Sequence, residues 1–207
     1  TPQQSPIASE QRLEVDASLD ATGRWSARQR ETYRGDFEVG PRMGLRLVPR
    51  SQWKTQMEKA LRFENQGRQS LAEGVQVEAG EPTATREPFE IRVEYSLPKM
   101  VDLGKSRAVL YLPMRAPYVS PSEDLLVMAD GRKRLHGPFT VTQRIRVELP
   151  EGWTATPNDA VSALEDFGEY RAKSSFEGRR LTAERSLTIK AGALATEEPH
   201  DPLALPT

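Results

Sequence analysis

The stretch that decides the fold is "RLEVDASLDATGRWSARQRETYRG" (12–35). On its first arm Leu13, Val15, Ala17 and Leu19 fall on one side and Arg12, Glu14, Asp16 and Ser18 on the other, the period of a half-buried strand. An Asp-Ala-Thr-Gly turn follows, with Gly23 where a backbone of positive φ is needed. On the second arm, from about Arg24 to Arg34, Trp25, Ala27, Gln29, Glu31 and Tyr33 share a face. The opposite face is Arg24, Ser26, Arg28, Arg30, Thr32 and Arg34. This is an antiparallel hairpin with one wet side. Its arginine face is either solvated or a docking surface for an acidic partner, with Arg28 and Arg30 as the residues at stake.

Downstream the period changes. "SQWKTQMEKALRFENQG" (51–67) places Trp53, Met57, Ala60, Leu61 and Glu64 at helical spacing, with Ser51 as N-cap and Gly67 as terminator. The preceding "DFEVGPRMGLRLVPR" (36–50) holds a shorter helical piece broken by Pro41 and Pro49. The expected helical insert spans about 37–66.

From there the pattern is β again. "VQVEA" (75–79) is a short strand. "PFEIRVEYSLP" (88–98) alternates, with Phe89, Ile91, Val93, Tyr95 and Leu97 together. "RAVLYLP" (107–113) is nearly all apolar and reads as a central strand buried on both faces. "EDLLVM" (123–128) is a further short strand, and "FTVTQRIRVELP" (139–150) a long one. "EYRAKSSFEG" (169–178) and "RRLTAERSLTIKAG" (179–192) form a closing hairpin whose apolar face is interrupted by Arg185. Eight or nine strands and one helical excursion predict a mainly β protein, an antiparallel β-sandwich with a one- or two-helix insert. Strands do not alternate with helices, which argues against a parallel α/β sheet. The expected division is a linker over 1–10, a domain over 11–191 and a flexible tail over 192–207. The start at Thr1 suggests a fragment or a processed chain.

Composition narrows the chemistry. The 207 residues are 37% hydrophobic and 29% charged, with mean hydropathy −0.63. Twenty-nine basic residues against 30 acidic give a net charge of −1, without the basic excess of a nucleic-acid binder. The densest cationic run, "GRKRLHG" (131–137), is offset by Glu123, Asp124 and Asp130 and reads as a solvated loop. There is no cysteine, so disulfides, thiolate metal sites and thiol nucleophiles are excluded. No apolar run approaches the roughly 20 residues of a membrane span.

Candidate catalytic groups are few. The two histidines are His136, in the basic loop, and His200, in the tail. No Gly-x-Ser-x-Gly elbow presents a serine to either. Glu38, Glu64, Glu90, Glu94, Glu148, Glu165, Asp166 and Glu169 are the carboxylates available for an acid–base pair, and the simpler reading is that they balance nearby arginines. Phosphate loops and EF-hand spacing are absent. No catalytic, cofactor or metal residue is therefore expected. Among the aromatics, Trp25 and Trp53 fit the core. Trp153, in "LPEGWTATP" (149–157), Tyr111 and Tyr118 are the others that could stack on a sugar if exposed; for Trp153 a hydrophobic plug is the stronger reading.

Several strings also resemble a known family. "LDATGRWSARQRETYRGDF" (19–37), "SLPKM" (96–100), "YLPM" (111–114), "GPFTVTQRIRVELPEGWTATP" (137–157) and "GRRLTAERSLTI" (178–189) are similar to the C-terminal β-rich domain of bacterial exported transglutaminase-like proteins, over about 12–189. The resemblance implies a non-catalytic accessory domain, periplasmic or extracellular. Its partner would be a neighbouring domain of the parent protein or another protein. The catalytic Cys, His and Asp of that family belong to a different domain, and nothing here matches them. The alternative is a carbohydrate or cell-wall binding β-sandwich module, with a glycan as ligand.

Overall fold

The computed structural model describes residues 7–65, 68–102, 107–113, 125–127, 133–135, 137–190 and 193–194. The chain opens with β1 (Ser9–Leu19) and β2 (Trp25–Arg34), the expected hairpin. A 3-10 turn (Gly35–Glu38) leads into α1 (Val39–Arg46), and a second (Arg50–Gln52) into α2 (Trp53–Ala60). Then come β3 (Arg62–Asn65), β4 (Arg68–Leu71), β5 (Glu73–Ala79) and β6 (Phe89–Leu97). After them lie β7 (Leu125–Val127), β8 (Lys133–Leu135) and β9 (Phe139–Glu148). The chain closes with β10 (Val161–Glu165), β11 (Gly168–Glu177), β12 (Arg180–Ile189) and β13 (Ala193–Leu194).

Eight strands make one sheet in the order β10-β11-β12-β9-β1-β2-β6-β5. Two small sheets, β13-β8-β7 and β3-β4, accompany it. The large sheet is mixed, which corrects the all-antiparallel expectation. Its central pair β1–β9 is parallel, with Val15 opposite Ile145 and Ala17 opposite Val147. A parallel pair cannot be joined by a tight turn, and these two strands are separated by most of the chain.

The sheet buries one face. Trp25, Phe89, Leu97, Ile145, Val15 and Val147 are fully buried there, each worth about 1.5–3 kcal/mol by removal from water. Leu45, Trp53 and Leu61 of the insert join the same cluster, as do Met100 and Val101, with Leu110 and Leu112 packed against it. Trp25, Tyr33 and Trp53 all belong to this cluster. Trp53 also donates its indole N–H to the carbonyls of Leu45 and Val48 at 3.2 and 3.0 Å, which ties α2 to the end of α1.

Other expectations are corrected. "RAVLYLP" is not a strand: its described backbone is irregular, with Val109 and Tyr111 exposed. The central positions of the sheet are already filled by β1, β2 and β9. Helix α2 ends at Ala60 rather than near Gly67, because Arg62–Asn65 forms β3. Ser51 lies inside the second 3-10 turn, and α2 has no side-chain cap. Pro41 does not break α1, since it sits in the first turn, where no intrahelical donor is lost. Ser9 is buried and pairs with Phe139, so the sheet begins two residues inside the expected linker. Ala193 and Leu194 pair with β8, inside the expected tail.

Candidate functional site

Alternation along each strand sorts the polar groups into two sets. The buried face carries a small network. Tyr33 donates its hydroxyl to the Glu31 carboxylate, Gln29 donates to Glu31 at 2.5 Å, and Tyr95 donates to Gln29 at 3.4 Å. Farther across the sheet, Arg185 donates twice to the Gln143 carbonyl oxygen, at 3.1 and 2.8 Å. The charge that interrupts the apolar face of β12 is thus held by a neighbouring strand.

The outer face carries a charge ladder. One row crosses seven strands in register: Glu78, Arg92, Arg30, Glu14, Arg144, Glu184 and Lys173. The arginine face of the hairpin is part of this ladder. Arg28 meets Glu94 at 3.0 Å and Arg30 meets Glu90 at 2.5 Å, while Arg24 reaches Glu73 at 3.3 Å. Of the two readings of that face, these contacts fit the solvated, ion-paired one. Glu184 is shared by Lys173 at 2.8 Å and Arg144 at 2.5 Å. The Lys173 hydrogen bond, before the Arg144 contacts, holds its carboxyl below the usual range.

Between this row and the next lies a groove of about 620 Å³. One wall is Arg12, Thr142, Ser186, Arg171 and Ser162; the other is Glu14, Arg144, Glu184, Lys173 and Ala160. The intervening residues Leu13, Gln143, Arg185, Ala172 and Val161 form the floor. Their side chains belong to the other face by strand alternation, so the floor is backbone. A second, smaller hollow of about 280 Å³ lies near the β11–β12 turn and includes Glu148, Glu177, Arg179 and Arg180.

The candidate carboxylates are largely tied up. Glu38 is buried and bound by Arg42 and Arg34; Glu90, Glu94, Glu148 and Glu169 each have an arginine within 4 Å. Among the described residues no group of three metal-ligating side chains converges. Trp153 is half-buried and packs against the core cluster. Tyr118, His136 and His200 lie outside the described residues, as does the Glu64 side chain.

One feature was not legible as a site in the sequence. On α1 and its C-cap, Val39, Met43 and Leu47 are 57%, 55% and 79% exposed and recur every four residues, a stripe along the outside of the insert. Arg42 and Leu45, on its other side, are buried. The spacing itself was the available signal, masked by Pro41.

These elements define a mixed β-sheet protein with two short helical insertions and a charged outer face. No protein-family model, curated protein or solved structure matches the chain. No helix is long and apolar enough to cross a membrane among the described residues.

Proposed function

We propose that the chain is a non-catalytic accessory domain of sandwich type that docks, through the outer face of α1, on a neighbouring domain of a bacterial cell-envelope transglutaminase- or protease-like protein, in the periplasm or outside the cell. The observation that carries the docking is the exposed stripe Val39, Met43 and Leu47. A contiguous apolar patch on a rigid helix marks an interaction surface. The helix is fixed from below. Arg42 is bound to Glu38 and donates to the carbonyls of Glu81, Pro82 and Glu87, so the stripe is presented in one orientation. The placement in an exported transglutaminase-like protein rests on the sequence resemblance. The half-buried seat of Trp153 supports the plug over the sugar-stacking platform on which the alternative glycan-binding reading relied.

Hydrogen exchange tests this reading. The chain is compared alone and joined to the domain encoded beside it. Amides of 39–47 should gain protection in the joined protein, and Leu47→Glu should abolish that gain while leaving the exchange of β1 and β9 unchanged. Equal exchange over 39–47 in both proteins would overturn the docking.

A further inference from the structure

The outer groove differs from the rest of the charged face in how its two walls are balanced. The Glu14–Arg144–Glu184–Lys173 wall carries two charges of each sign, and Glu184 already holds both Arg144 and Lys173. The facing wall is donor-rich and without an acid: Arg12, Arg171 and the hydroxyls of Thr142, Ser186 and Ser162. Arg171 has Glu169 outside the groove, whereas Arg12 has no acidic partner among the described residues. A positive wall inside a concavity, on a chain of net charge −1, focuses the field on that line.

The geometry restricts what can lie there. The groove crosses five strands, from β1 to β10, a span of about 19 Å at the usual strand spacing. Arg12 and Arg171 stand three strand steps apart, about 14 Å. An occupant must therefore be elongated and carry repeated anionic groups. The groove runs across the strands, and the N–H and C=O groups of the interior strands beneath it are spent in the sheet. A peptide cannot bind there by strand addition. Guanidinium groups only donate, and the hydroxyls between them can donate as well. This suits a chain bristling with acceptor oxygens at every unit. No aromatic side chain lines the groove, so ring stacking contributes nothing.

We propose that this groove binds a linear acidic polysaccharide, its carboxylates on Arg12 and Arg171 and its hydroxyls on the Thr142–Ser186–Ser162 line. The proposal is independent of the docking assigned to α1, which lies on a different element.

The test is titration of the whole chain with polygalacturonate oligomers, followed by calorimetry at low and moderate salt. Binding should be present at low salt, weaken as salt rises and vanish for the carboxyl-reduced, uncharged polymer. Arg12→Ala and Arg171→Ala should each weaken it by about tenfold, the loss of one charge-assisted contact. Arg92→Ala, an exposed arginine on the same face but outside the groove, should leave it unchanged. Circular dichroism confirms that each variant is folded. Three results would overturn the proposal: no binding at low salt, an Arg92→Ala loss as large as that of Arg12→Ala, or poly-glutamate binding as tightly as the polysaccharide. The last would make the groove an acidic-peptide site.

Discussion

Burial decides what each arginine is worth. Arg28 and Glu94 touch at 3.0 Å but are 81% and 52% exposed, so their pair contributes about 0–1 kcal/mol. Arg42 and Glu38 are both buried, and every remaining lone pair or proton nearby has a partner. The Arg42 guanidinium also lies 4.6 Å from the Phe89 ring centre. Arg42→Ala would leave Glu38 buried opposite only Arg34. Its expected cost is about 3–5 kcal/mol in urea unfolding. Arg28→Ala should lie within about 1 kcal/mol of the parent. Equal losses would refute the assignment of Arg42 as the staple between α1 and the β5–β6 connection.

Titration also belongs to single residues. Asp20 is held below the usual carboxylate range first by the Thr22 hydroxyl, Glu81 first by the Thr83 hydroxyl and Glu184 first by Lys173. A carboxylate whose folded pKa is depressed stabilises the fold above its unfolded pKa, and that gain is lost as pH falls through the folded value. The melting temperature should therefore fall on acidification below about pH 4. Glu184→Gln should show a shallower fall than the parent over that interval. A parallel curve would mean that Glu184 titrates alike in both states.

At the scale of elements, the two edges of the large sheet are guarded unequally. Edge strand β5 carries a register irregularity between Glu73 and Gln76, with Gly74 at positive φ, which blunts pairing. Edge strand β10 is regular, is exposed at every residue and leaves Val161 and Leu164 uncovered on its two opposite faces, Leu164 at 72%. It has neither lysine nor proline. Self-association in concentrated solution should therefore run through β10. Leu164→Lys is expected to raise the concentration at which light scattering appears, with no change in far-ultraviolet circular dichroism; an unchanged onset would locate the contact elsewhere. The β1–β2 turn shows the opposite, a fully specified element. Asp20 accepts from the Thr22 and Arg24 amides, and Gly23, at φ +81°, faces the Val101 carbonyl so closely that a Cβ would stand 1.9 Å from its oxygen.

For the whole molecule, the faces were readable and the neighbours were not. The alternation in 12–34 assigned Leu13, Val15, Trp25 and Tyr33 to the core and Arg28 and Arg30 to the outside, and they lie there. That assignment needs only the two-residue period of a strand, a local property of the backbone. "RAVLYLP" failed because a continuous apolar run has no period to fix its conformation. Strand β10 passed unseen because an edge exposed on both sides leaves no apolar alternation. The groove lies further from the sequence still. Arg12, Thr142, Ser186, Arg171 and Ser162 form one wall only because β1 lies parallel to β9 and β9 pairs with β12 in one register. By itself, then, the sequence determined which side chains seek water and which avoid it, since that is set by residue type and local period. Which charges meet across strands, and so where a row of donors faces solvent, was decided by pairings between segments as far as 130 residues apart. Those depend on the collective assembly of the sheet, which no local pattern encodes.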